Sequence, residues 1–379
     1  MIYLDEAATS KPRIEVIGAM MPYFTDKWYN PSALYSVSSK IKKDIESARS
    51  IVGDFINAES NEIFFTSGGS ESNCWAIRGF VNRCNRRGRK ATVIVSTIEH
   101  KSILDCVDNM NVNVHFVGVD KEGFVDMKSL ERLLYDANIE SHEILVSIQY
   151  ANNEIGTIQH IKKIAALTHK YDAVFHTDAV QAFGHIPIDV KELDVDMLSA
   201  SGHKIGTPKG VGILYKKNNI DIDPLIYGSQ MNGMRGGTEN VPYIMGFKRA
   251  VEIIGRNIDK FSLIYNRNYF INELKKLGCT INGSINERLP NNINVTFIQN
   301  ITGEAMIYML DMCGIMVSSG SACNSHSIES SHVLRSIGLS DKDAMKTIRI
   351  TLPDDISIEV IDKVICEITK QIALLNSEE

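Results

Sequence analysis

The chain has 379 residues, more than one small core comfortably serves, so two domains are expected. Hydrophobic residues make up 44% and charged residues 23%, the balance of a soluble globular protein, and a net charge of −6 leaves no basic footprint for nucleic acid. The N-terminal "MIYLDEAATSKP" lacks a basic stretch followed by an apolar core, and no apolar run is long enough to span a bilayer, so neither a signal peptide nor a membrane is expected.

Seven cysteines are present, an odd number with no CxxC pair. A disulfide framework or a zinc knuckle is therefore not expected, and a reducing cytoplasm is.

Between about residues 60 and 217, short apolar runs alternate with helical patterns. "EIFFTS", "TVIVST", "VNVHFVGV", "EILVSIQY", "AVFHTD", "DMLSAS" and "GVGILYKK" read as strands. "ESNCWAIRGFVNRCNRRG" and "IKKIAALTHKY" between them carry apolar residues at helical spacing. This α/β alternation predicts a mostly parallel sheet covered on both faces. A helical pattern from about 241 to 278 reads as a connecting helix. Beyond it, "NINVTFI", "SSHVLRSIG", "TIRITL" and "SIEVIDKVICEITKQIALL" outline a smaller α+β unit.

Ligands of open α/β sheets bind beyond the carboxyl ends of the strands. Five polar clusters fall there. "TSGGSESN" has two glycines opening a helix, either a phosphate cradle or a plain strand-to-helix turn. "STIEHKS" brings His100 to a strand end, where a histidine serves structure or catalysis. "QYANNEIG" places Asn152, Asn153 and Glu154, residues that also simply shape turns. "FHTDAVQAFG" places Asp178 and Gln181. Asp178 reads equally as the partner of a cationic ring nitrogen or as the N-cap of a helix near Ala179. "SASGHKIGTPKGVG" delivers Ser201, His203 and Lys204 beside a glycine-rich turn. Pyridoxal phosphate requires a lysine for its aldehyde, an acid for its pyridine nitrogen, a phosphate cradle and a group to stack on its ring. Lys204, Asp178, the "SGGSES" turn with Ser201 and His203, and His100 supply the set, and their joint occurrence is far more specific than any member.

One further stretch, "SSGSACNSHS", sets Cys323 among small polar residues, an unusual place for a thiol unless it reacts. The other six cysteines fall mostly in helical or apolar patterns and read as structural.

These motifs resemble the cysteine desulfurases of the NifS/IscS type. The resemblance runs nearly end to end, through "YLDEAAT", "NPSALYS", "TSGGSES", "EHKS", "NNEIG", "TDAVQ", "SGHKIGTPKGVG", "MRGGTEN", "SSGSAC", "VLRSIGL" and "IRITL". It implies an aspartate-aminotransferase-like α/β fold (pyridoxal-phosphate fold type I). A mostly parallel seven-stranded sheet would lie in a large domain at 15–260. A smaller α+β domain would comprise 1–14 and 261–379. It implies pyridoxal 5'-phosphate as cofactor, with Lys204 bonded to its aldehyde, Asp178 at the pyridine nitrogen, Gln181 at the ring oxygen and His100 stacked on the ring and moving protons. Gly69, Ser70, Ser201 and His203 would hold the phosphate, and Thr238 would reach the phosphate of a second subunit, making a homodimer. Asn153 and Arg349 would grip the carboxylate of L-cysteine. Cys323 would take the sulfur as a persulfide and carry it to an acceptor protein such as an iron–sulfur scaffold, which explains glycine and serine around it. A selenocysteine lyase and a non-catalytic pyridoxal-phosphate assembly module are the alternatives; an aminotransferase would have no use for the thiol.

The chain departs from the family pattern in places. Tyr227, Ser229 and Met231 stand in a loop usually richer in glycine, Ser330 where proline is usual, and Glu6 where asparagine is common. None of these replaces a catalytic group.

Overall fold

The run Ala91–Ser96 is buried at every position, as a strand covered on both faces must be. The same holds for most strands of the main sheet. In the computed structural model, which describes residues 1–255, 260–298, 301–319 and 330–377, the strands are twelve. In chain order they are β1 (Ile2–Tyr3), β2 (Ile63–Thr66), β3 (Ala91–Ser96), β4 (Asn113–Val117), β5 (Glu143–Ser147), β6 (Val174–Asp178), β7 (Met197–Ser201), β8 (Gly212–Lys216), β9 (Thr280–Ile281), β10 (Asn292–Thr296), β11 (Ile315–Met316) and β12 (Thr347–Thr351).

Seven of these form one sheet in the order β2-β8-β7-β6-β5-β3-β4. Strands β4, β3, β5, β6 and β7 run parallel, whereas β8 is antiparallel to both β7 and β2. The α/β fold with a seven-stranded, mostly parallel sheet is thus as the pattern predicts. Parallel strands expose their carboxyl ends on one edge, so Ser96, Ser147, Asp178 and Ser201 emerge together. The crossover helices follow their sequence signals. Asp126 caps the helix Met127–Ile139 by accepting from the Lys128 and Ser129 N–H groups. The helix Ser36–Ile56 buries Ile41, Ile45, Ala48 and Val52, one face at three- and four-residue spacing, and ends at Asn57 in the left-handed region.

The antiparallel sheet β12-β10-β9 and the parallel pair β1-β11 stand apart from the seven strands. Their apolar residues form a second core with Leu263, Phe270, Met306, Ile361 and Ile368. A third, small cluster joins Val333, Leu334 and Ile337 to Ile98 and Ile155.

The single connecting helix expected over 241–278 is two helices, Val241–Ile254 and Phe261–Lys276. The first stops at Gly255, whose φ of 70° no helix interior accommodates. Among the described residues, no helix is long and apolar enough to cross a membrane. Cys84, Cys106 and Cys279 are buried as expected of structural thiols, but Cys313, in the turn after the helix Gly303–Met312, and Cys366, on the helix Ile358–Ser377, are exposed.

Candidate active site

A cavity of about 310 Å³ opens beyond the carboxyl edge of the sheet. Gly69, Ser70, His100, Asn153, Asp178, Gln181, Ser201, His203, Lys204 and Arg349, which lie far apart in sequence, all line it. Thr238 does not line it; it is exposed in the loop before the helix Val241–Ile254. Cys323 lies outside the described residues.

Lys204 closes the short turn Gly202–Lys204 that follows β7. Its Nζ donates to the carbonyls of Ala7 at 2.5 Å and Ala8 at 2.7 Å. The "DEAAT" segment therefore enters the cavity from the N-terminus. Gln181 Nε2 donates to the same Ala7 carbonyl at 3.1 Å. Beside Lys204, His203 is held neutral: burial, reinforced by the lysine's charge, pushes its pKa down to about 4.

Asp178 is the last residue of β6 and is buried. Its carboxylate accepts from Asn73 Nδ2 at 2.8 Å and from the Val180 N–H at 2.9 Å. No helix begins at Ala179; turns follow instead, so the N-cap reading of Asp178 is corrected. Its carboxylate holds the first turn instead, through the Val180 N–H two residues on.

His100 caps the helix Lys101–Asp108, its Nδ1 accepting from the Ser102 N–H at 3.1 Å. An amide N–H can only donate, so the neutral ring carries its proton on Nε2. Burial depresses the His100 pKa, with Asp178 opposing and Lys204 adding to the effect. Ser102 Oγ links His100 Nδ1 (2.8 Å) to Asn73 Nδ2 (2.9 Å), so Asp178, Asn73, Ser102 and His100 form one chain.

On the opposite wall, Arg349 of β12 is buried and pairs through Nη2 with Asp5 at 2.6 Å. Its Nη1 donates to the Asn153 carbonyl at 3.0 Å. The two residues expected to meet a substrate carboxylate are therefore adjacent.

Asn73, Ser102, Glu99 and His332 also belong to the site and were not read from the sequence. Asn73 had a signal: it stands one helical turn after Gly69 on the same face. Glu99 is fully buried, accepts from the Gln149 N–H and Ser96 hydroxyl, and burial raises its pKa to about 8. Its position beside His100 alone gave no hint of that.

The residues fit pyridoxal 5'-phosphate by their chemistry: a lysine amine, a buried carboxylate, an imidazole, and hydroxyls at a helix N-terminus. The helix Gly69–Arg86 starts against the cavity with a residue that could be larger only if Val180 moved. A Cβ on Gly69 would stand 2.5 Å from Val180 Cγ2 and 3.5 Å from Ser201 Cβ. Backbone N–H groups and a positive dipole end are thus free to meet an anion there. Among the described residues no cluster of three metal-ligating side chains occurs.

The class-V aminotransferase family profile matches residues 2–364. The chain is 42% identical over 371 residues to the cysteine desulfurase IscS of Methanosarcina thermophila, covering 96% of this chain and 90% of that protein. Its structure superposes on that of a NifS-like protein with a TM-score of 0.90 at 32% identity, covering 98% and 99% of the two chains. A protein named SspA, solved in complex with cysteine, is 34% identical, with a TM-score of 0.82 and coverage of 93% and 99%.

Proposed function

We infer the activity of this chain from its family: it belongs to the class-V aminotransferases, in the branch of the IscS- and NifS-like cysteine desulfurases. It acts as a cysteine desulfurase, converting L-cysteine to L-alanine and retaining the sulfur for an acceptor. The observation that carries this reading is the convergence of Lys204, Asp178, His100 and the Gly69 helix start on one cavity.

Pyridoxal 5'-phosphate is the proposed cofactor. Lys204 would hold its aldehyde carbon, Asp178 its pyridine nitrogen and Gln181 its ring oxygen, while His100 stacks on the ring. Gly69, Ser70, Ser201 and His203 would hold the phosphate, joined by Thr238 from a second copy of the chain in a homodimer. When bound, it supplies an electron sink that acidifies the substrate α-carbon and weakens the bond from Cβ to sulfur.

The protein's residues do the rest. Arg349 and Asn153 orient the substrate carboxylate. Lys204 Nζ accepts the α-proton. His100 keeps its proton on Nε2, poised for transfer on that side. Cys323 attacks the substrate sulfur as a thiolate, forming an S–S bond as the C–S bond breaks; the electron pair stays with carbon and is protonated to give alanine. The persulfide then passes to an acceptor protein, such as an iron–sulfur scaffold, in the cytoplasm. The division into a large unit (15–260) and a small one (1–14 with 261–379) is supported by the two larger apolar clusters.

Purified protein given L-cysteine and a reductant should release sulfide and alanine in equal amounts, and Lys204→Ala should abolish both along with the yellow absorbance. Release of neither product by the wild-type protein would overturn the reading.

A further inference from the structure

The loop in which Tyr227, Ser229 and Met231 depart from the family pattern is tied to the helix Gly69–Arg86 by one ion pair. Residues 226–237 fold back on themselves: the Gly236 N–H donates to the Ile226 carbonyl at 2.8 Å and the Gly237 N–H to Gln230 Oε1 at 3.0 Å. Arg235 leaves this loop and reaches Glu71, in the first turn of the helix. Its Nε donates to Glu71 Oε1 at 2.9 Å and its Nη2 to Glu71 Oε2 at 3.2 Å, while Nη1 donates to the Gly236 carbonyl at 3.1 Å. The contact is bidentate, and both side chains are largely buried, 19% and 11% exposed.

Glu71 follows Gly69 and Ser70, which line the cavity. Its Oε2 also accepts from the Ser67 N–H at 2.7 Å, in the turn that leads into the helix. Burial raises the Glu71 pKa, but the bonds from Arg235 and Ser67 outweigh it and the net shift is downward, so the group is a carboxylate at neutral pH. A carboxylate in a first helical turn suits the positive dipole end. It becomes a conflict when the same end is to receive a phosphate, because two anions then repel each other at short range in half-buried space. Of the residues proposed to hold the phosphate, none carries a charge to offset this: Gly69, Ser70 and Ser201 have none, and burial holds His203 neutral. A guanidinium locked on Glu71 removes the conflict.

Resting on the reading of pyridoxal 5'-phosphate as cofactor, we propose that Arg235 is a positioning residue for the cofactor phosphate, acting through Glu71. It cancels the carboxylate's charge beside the cradle and keeps that carboxylate turned onto Ser67. The planar fork meets both carboxylate oxygens at once, which a lysine ammonium, a point charge, does not. The ring end of the site is built from other contacts, those among Asp178, Asn73, Ser102 and His100. With Arg235 gone, the loss therefore falls on a phosphorylated ligand and spares its dephosphorylated form.

The full-length chain, freed of cofactor by dialysis, is titrated with pyridoxal 5'-phosphate and, separately, with pyridoxal, which lacks the phosphate; the absorbance of the bound ligand reports both. Arg235→Gln should weaken pyridoxal 5'-phosphate about 10-fold and change pyridoxal by less than about 2-fold. Arg235→Gln combined with Glu71→Gln, which removes the unpaired charge, should return to within about 3-fold of wild type. Should Arg235→Gln not fold, Glu71→Gln alone decides: it should bind pyridoxal 5'-phosphate at least as tightly as wild type, because it leaves the cation without its anion. Equal losses for the two ligands, a double variant no better than the single one, or a weakened Glu71→Gln would overturn the inference alone, leaving the pair as no more than an anchor for the loop that leads to Thr238. Wild-type protein that binds pyridoxal as tightly as pyridoxal 5'-phosphate would overturn the cofactor reading and this inference with it.

Discussion

Asn73 donates its side-chain amide to the Asp178 carboxylate across 2.8 Å, joining the first helix after the glycine turn to the end of a central strand 105 residues later. The same amide reaches Ser102 Oγ, the partner of His100. The acid expected at the ring nitrogen and the imidazole expected on the ring face therefore share one support.

Removing that support should be felt at the cofactor. Asn73→Ala deletes a hydrogen bond to a charged group, a contact worth about 1.5–3 kcal/mol. Cofactor retention, measured by equilibrium dialysis, should weaken about 10-fold or more. The absorbance of the remaining bound cofactor should shift as Asp178 turns. Retention equal to wild type would show that the Val180 N–H alone holds the carboxylate.

Gly69→Ala tests the cradle. The new Cβ would stand 2.5 Å from Val180 Cγ2, a separation that forces one of them to move. Overpacking of this kind costs about 1–3 kcal/mol. Cofactor affinity should fall roughly 10-fold, and Gly69→Ala with Val180→Ala should recover part of it. Equal loss in the single and double variants would mean that the methyl acts on the ligand directly.

Arg349→Lys keeps the charge but gives up the planar fork that reaches Asp5 and Asn153 together. KM for L-cysteine should rise about 10-fold or more with a smaller change in kcat, because the lost contact is made in the bound substrate and persists through reaction. An unchanged KM would move the carboxylate site elsewhere.

His176 sits in the middle of the sheet between Ser147 Oγ (2.8 Å) and Ser199 Oγ (2.9 Å). Burial pushes its pKa down to about 3. The unfolded chain binds this proton near pH 6.5, so between those values it holds more protons than the folded one. Stability contributed by neutral His176 is complete above pH 6.5 and is lost as the pH falls toward 3, at about 1.4 kcal/mol per pH unit. Urea unfolding of apoprotein between pH 7 and 4.5 should steepen accordingly, and His176→Gln should flatten the slope.

Glu99 has the opposite sign. Its folded pKa is raised to about 8, chiefly by burial, with Asp178 adding to the effect. The folded state then binds the extra proton between the ordinary carboxyl range and pH 8, so this contribution is complete at acid pH and is lost as the pH rises through 8. Glu99→Gln should remove that alkaline loss in the same urea series. An unaltered slope from pH 6 to 9 would place the titration on another group.

The alternation of apolar runs with helical patterns, and the polar clusters that close those runs, could be read directly from the chain. Both are local properties: strand and helix periods follow from backbone geometry, and a buried parallel strand announces itself by continuous apolarity. Lys204, Asp178, His100 and Gly69 stood out because each ends or follows such a run. The one connecting helix drawn too long failed for a local reason as well, since a glycine within a helical pattern stops it only when its φ turns positive, as at Gly255.

What folding decided are the partners. Lys204 meets the Ala7 and Ala8 carbonyls nearly two hundred residues away, Asp178 meets Asn73, and Ser331 meets Glu154. Nothing in residue type or spacing specifies such pairs. A side-chain hydrogen bond reaches only about 3 Å and depends on strand order and helix register, which are settled only when the two units pack. Chemistry was therefore legible where it is carried by a residue at a strand end. It stayed hidden where it depends on which distant residue the fold places within reach.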